Sequence, residues 1–125
     1  MKKADDRNIC IRQSRNEEQI ARCKAQVSNV GDSLYKTAQI LALGGNEVRL
    51  KILLLLQAEQ QLCVCDLGEI LEMKTPAISQ HLRKLKDAGL VLTEREGTVI
   101  YYSISPSTKP TIEAILRLIV QPVLI

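Results

Sequence analysis

The side chains in this chain best suited to chemistry are its four cysteines, Cys10, Cys23, Cys63 and Cys65. Cys63 and Cys65 stand one residue apart in Cys63-Val64-Cys65-Asp66. Thiolate sulfur selects soft or borderline ions, and the candidates are Cd(II), Pb(II), As(III), Hg(II), Zn(II) and Cu(I). On a regular helix a spacing of two points side chains to nearly opposite sides, whereas in an extended segment or at a helix start both can face one way. The pair is therefore expected where a helix begins. Two sulfurs are too few for firm binding of such an ion, so Cys10 and Cys23 are candidates for the remaining ligands. Cys23 has a plain alternative, because it lies on an apolar stripe and free cysteine is a frequent core residue. The same thiols would also suit a redox or persulfide switch, although a disulfide between residues two apart is strained. A thiol enzyme is not expected. There is no Cys-x-x-Cys pair, no phosphate-cradling glycine loop, and His81 is the sole histidine.

The elements that position these thiols must come from 125 residues, enough for one domain with a modest core. A monomer this small buries only about two-thirds of its unfolded surface, which makes oligomerisation energetically plausible. Phe and Trp are absent, so the core must be aliphatic, and aromatic platforms for single-stranded nucleic acid are not expected. The net charge of +3 is too mild to name a partner by itself. Met1-Lys2-Lys3-Ala4-Asp5-Asp6 has no apolar run like that of a signal peptide, and Leu50 to Leu56 is too short to span a bilayer. A cytoplasmic protein without membrane contact is the expectation, and there cysteines serve more often as ligands than as disulfides.

Residues 1–16 are polar and read as a mobile arm, and residues 17–122 as the folded domain. Asn16 caps a first helix with Ile20, Cys23, Val27 and Val30 on one stripe. Gly31 stops it, and Asp32-Ser33 caps a second helix that buries Leu34, Ala38, Leu41 and Ala42. After Gly44-Gly45, Asn46 caps a third helix, apolar nearly all round and therefore central. Leu62 to Met73 reads as a short helix or helix entry with Leu67, Ile70 and Leu71 inward. Thr75 is the expected N-cap of the next helix, with Pro76 at its first position. Val91 to Arg95 and Val99 to Ile104 form a hairpin turning at Glu96-Gly97. A last helix presents Ile112, Ile115, Leu116, Ile119 and Val120, and Pro122 closes it.

Two short helices, a tight turn and a hairpin describe a winged helix-turn-helix, mainly α with a β-hairpin wing (α+β). Its second helix would enter the major groove of double-stranded DNA. Ser79, Gln80 and His81 offer groups for base edges. Lys74, Arg83, Lys84, Lys86 and the wing's Arg95 are available for phosphates, and Thr75 and Thr98 are further candidate DNA contacts. Ile112, Ile115, Leu116 and Ile119 form a stripe too apolar for a solvent face; Ile20 and Val27 of the first helix join the candidate dimer surface through the family resemblance given below. A two-fold homodimer would read a palindromic operator. The alternative is that the last helix packs on its own core.

Four stretches carry a family resemblance. They are Asn46-Glu47-Val48-Arg49-Leu50-Lys51-Ile52-Leu53, Leu62-Cys63-Val64-Cys65-Asp66-Leu67, Ile78-Ser79-Gln80-His81-Leu82-Arg83-Lys84-Leu85 and Gly97-Thr98-Val99-Ile100-Tyr101-Tyr102. Together they resemble the ArsR/SmtB family of metal-sensing repressors over roughly residues 33–105. The resemblance implies a homodimer that represses a metal-resistance operon and leaves its operator when loaded with metal. It also implies that the first and last helices dimerise, and that Ser79 and His81 belong to the recognition helix. Cys10 and Cys23 beside the Cys-Val-Cys pair resemble the CadC-type branch, in which N-terminal cysteines join that pair across the dimer. The twelve residues between them exceed the spacing expected there. Gly68 replaces the third cysteine of the arsenic-type motif, and the C-terminal zinc site of Asp, His and Glu is missing.

Overall fold

The computed structural model describes residues 10–119; residues 1–9 of the expected arm, Val120 and Pro122 lie outside them. The chain divides into two compact units, Met1–Leu34 and Tyr35–Ile125.

In the first unit, α1 (Glu17–Asn29) starts where the Asn16 side chain accepts the Gln19 N–H at 2.9 Å, with Glu17 and Glu18 in the first turn. Both features satisfy or complement the bare N–H groups of a helix start. None of its residues is buried. A single residue, Val30, separates it from α2 (Gly31–Gly44), and the Val30 carbonyl already accepts the Leu34 N–H. Asp32 and Ser33 therefore lie inside the first turn of α2 and do not cap it. The buried residues of α2 are Ile40 and Gly44, whereas Leu34, Ala38, Leu41 and Ala42 are exposed. The expected inward face is thus the outward one.

The second unit is built around α3 (Glu47–Glu59), capped by Asn46, whose side chain accepts the Arg49 N–H at 3.0 Å. Ile52, Leu53 and Leu56 are buried, and Val48, Leu50, Leu54 and Leu55 pack against the same core, so a helix apolar all round is indeed central. The next two residues, Leu62–Cys63, form a short strand, β1, and α4 (Val64–Leu71) follows at once. Only Leu67 and Gly68 of α4 are buried; Ile70 is exposed, against expectation. Its turn closes through Glu72 in the left-handed region and a Met73 N–H to Gly68 carbonyl bond of 2.9 Å.

The next helix, α5 (Thr75–Asp87), begins one residue earlier than expected. Lys74 is its N-cap and Thr75 is the first helical residue, with Pro76 in the first turn, where no N–H is missed. Strands β2 (Val91–Glu96) and β3 (Val99–Ile104) make the wing, joined by Gly97-Thr98 with Gly97 at φ 64°. That left-handed backbone suits glycine, which lacks the Cβ that would clash. The sheet order is β1-β3-β2, all antiparallel, with Leu62 opposite Tyr102 and Cys63 opposite Tyr101. Finally α6 (Lys109–Leu116) sends Ile112 and Leu116 into the core beside α3. The core is wholly aliphatic, as a chain without Phe or Trp requires. Among the described residues, no helix is long and apolar enough to cross a membrane.

Candidate metal centre and nucleic-acid interface

Cys63 ends β1 and is also the N-cap residue of α4, with an extended backbone at φ −92° and ψ 166°. Cys65 follows in the first turn of α4. The backbone changes from strand to helix between the two thiols, which is the local geometry their spacing called for. Cys63 is half-buried and Cys65 exposed, and all four cysteines are free. Cys65 borders an open groove of about 600 Å³ that runs past Gly68, Glu69 and Met73 to Thr75 and Pro76 at the start of α5. Cys65 and the head of the helix-turn-helix thus share one surface.

The backbone is tight at Gly68. A Cβ at position 68 would sit 2.9 Å from the Met73 carbonyl oxygen, closer than real Cβ contacts come. A third cysteine in that position would require this backbone to shift. Cys10 and Cys23 belong to the first unit, and both are exposed, so Cys23 is not a core residue of the described chain. Among the described residues no three His, Cys, Asp or Glu side chains gather into a metal-holding group.

Helix α5 is held by Ile78, Leu82 and Leu85, each with no exposed surface. Their spacing leaves Gln80, Arg83 and Lys84 exposed, along with Thr75 at the helix start; Ser79 is half-buried on the flank. In the wing, Arg95 and Thr98 are exposed, and the Arg95 Nε donates to the Gly97 carbonyl at 3.0 Å, bracing the turn. His81 differs from its neighbours. It is half-buried, and its Nδ1 lies 3.3 Å from Nη1 of Arg49. Burial, and then the charges of Arg49 and Lys84, hold its pKa below the ordinary value of 6.5. Arg49 was not singled out as a site residue from the sequence. A signal existed: a cation in the first turn of an apolar helix opposes the helix dipole and calls for a partner.

Of the expected dimer residues, Ile112 and Leu116 are buried within the chain's own core and so are not free to meet a second molecule. Ile115 is partly buried against that core, Ile20 is half-buried, and Val27 and Ile119 are exposed at 60% and 50%.

Comparison with known proteins places this architecture. The profile of the bacterial regulatory proteins of the arsR family matches residues 46–93, from the α3 cap into the wing. The chain is 36% identical over 72 residues to the arsenic resistance transcriptional regulator ArsR1 of Pseudomonas putida, covering 58% of this chain and 56% of that one. It is 33% identical over 89 residues to a cadmium resistance transcriptional regulatory protein, a CadC homolog of Staphylococcus aureus, covering 71% and 72%. Its fold matches the homodimeric winged helix-turn-helix DNA-binding domain Mb0332 of Mycobacterium bovis at 29% identity and a TM-score of 0.61, covering 72% and 82%. These relatives are transcriptional regulators, not enzymes. With that identity to the cadmium regulator over more than two-thirds of both chains, this chain belongs to the arsR family: it is a winged helix-turn-helix transcriptional regulator.

Proposed function

We propose that the protein is a cytoplasmic, metal-responsive repressor. It binds a palindromic operator as a homodimer and releases it when a soft ion is held by Cys63 and Cys65 together with Cys10 and Cys23. Thr75, Ser79, Gln80, Arg83 and Lys84 of α5 make the major-groove and phosphate contacts, and Arg95 and Thr98 of the wing reach the flanking backbone. The observation that carries this reading is the double role of Cys63. It is paired through β1 to the wing strand β3, and it opens α4, the helix that packs on α5. An ion held at the thiols therefore constrains both DNA-contacting parts through backbone, not through a chain of mobile side chains.

The thiol donors fit soft ions and leave Mg(II) or Ca(II), which take oxygen ligands, without a site. Residues 1–16 serve as an arm that delivers Cys10, and residues 17–122 form the domain it reaches. The dimer face draws on the exposed stripe of α1, Ile20 and Val27, and on Ile119. Two similar proteins carry arsenic and cadmium in their names, and a third is described as a homodimer, which supports the same properties here.

The test is a gel shift with metal-free, reduced protein and a duplex from the promoter of its own gene. Cd(II), As(III), Pb(II), Hg(II) and Zn(II) are added in turn. An allosteric coupling of about 1–3 kcal/mol weakens binding roughly 5- to 150-fold for the cognate ion. The Cys65→Ser variant should keep its DNA affinity and lose that response. Unchanged binding with all five ions sinks the metal reading, and release by peroxide or polysulfide alone transfers the signal to thiol oxidation.

A further inference from the structure

We propose that Arg49 is a positioning residue that latches the recognition helix α5 to the start of α3 through His81, so that His81 aims the reader without reading bases itself. The inference rests on the DNA-binding role proposed for α5. Arg49 stands in the first turn of α3, its own N–H held by the Asn46 side chain at 3.0 Å. Its Nε donates to the carbonyl of Leu43 in the last turn of α2, and its Nη1 lies 3.3 Å from His81 Nδ1. One half-buried guanidinium thus ties α2, α3 and α5 together.

The chemistry leaves one arrangement. A guanidinium has donors only, so His81 Nδ1 is the acceptor and the ring proton sits on Nε2. Position agrees. At about 100° per residue, His81 lies about 60° around the helix from Ile78, whereas Gln80 and Arg83 lie about 160° and 140° from it. Ile78 marks the core side, so His81 flanks the core while Gln80 and Arg83 face away.

Protonation of the ring removes the acceptor and sets a second cation against Arg49, with Lys84 of α5 adding to the repulsion. Burial, then Arg49 and Lys84, depress the pKa below 6.5, so the neutral ring is the folded form. The latch is complete above that value and is lost as the pH falls below it.

The test uses the full chain and duplexes that the wild type selects from a random library. Asn presents an acceptor where Nδ1 stands, and Gln presents its terminal group where Nε2 stands. H81N should therefore bind the selected duplex nearly as wild type does, and without the loss of affinity below pH 6.5. H81Q and R49Q should each bind about tenfold more weakly, the scale of one hydrogen bond to a charged group, and R49Q/H81Q no more weakly than either. Circular dichroism melts establish which variants are folded. Nitrogen-15 spectra of the wild-type imidazole read the tautomer independently of any variant, with Nε2–H expected. An Nδ1–H tautomer, or H81Q binding better than H81N, overturns the latch and returns His81 to base reading. Failure to select any duplex overturns the DNA-binding reading, and the latch with it.

Discussion

Helices α1 and α5 are both 13 residues long and both amphipathic, yet their apolar stripes meet opposite fates. In α5 the stripe of Ile78, Leu82 and Leu85 is fully enclosed, so the chain's own core decides where the reader lies. In α1 the stripe of Ile20, Cys23 and Val27, continued by Val30 just past its end, contains no buried residue. Periodicity alone cannot distinguish the two, because an apolar face reports only that something must cover it. For α5 the cover is α3, α4 and β2. For α1, under the proposed function, it is a second copy of the chain. On that reading the position of α5 is set by one chain, and the cover of α1 by two.

The sharpest way to test that division is to damage each stripe in turn. Leu82→Ala leaves a cavity in an enclosed site and should cost about 2–5 kcal/mol, read as a lower urea midpoint at any protein concentration. Val27→Glu should leave the unfolding of the single chain nearly unchanged. A two-fold interface places it twice, so dimerisation should lose about 3 kcal/mol, read by sedimentation as a shift towards half the mass. A Val27→Glu chain that keeps its mass would erase the distinction between the helices. The smallest effects come from the caps. Asn46→Ala should cost about 1 kcal/mol, because α3 is the centre of the core, and Asn16→Ala about 0.5 kcal/mol, because α1 can fray without exposing one. Equal costs would mean that α1 is as firmly set as α3.

Much of the reader was legible because its signals are local. Asn16 and Asn46 marked helix starts by side-chain chemistry, Gly97 marked the wing turn, and Ile78, Leu82 and Leu85 repeated at helical spacing. Thr75 was misassigned by one residue because Lys74, which caps without a side-chain bond, carries no signature. The strand β1 was missed for a different reason. Two residues show no period, and their partners Tyr101 and Tyr102 lie almost forty residues on. The outward face of α2 was missed, and the inward turn of Ile112 and Leu116 stood only as the alternative, because a stripe does not name its partner. Arg49 was passed over for the same reason, since its partner His81 is thirty-two residues away. The thiol pair itself was plain in the sequence; its attachment to the wing was not.

That attachment has an optical consequence. Cys63 and Tyr101 face each other across β1 and β3, and directly opposed side chains in such a pair have Cβ atoms about 4.5–5.5 Å apart. The chain has three tyrosines and no tryptophan to mask them. Tyr101 is therefore a native fluorophore at the thiol, and its emission gives a label-free gauge of what reaches Cys63, separable from Tyr35 and Tyr102 by single Tyr→Phe replacements. The same short strand that joins the thiol pair to the wing also lets that junction be watched without adding a dye.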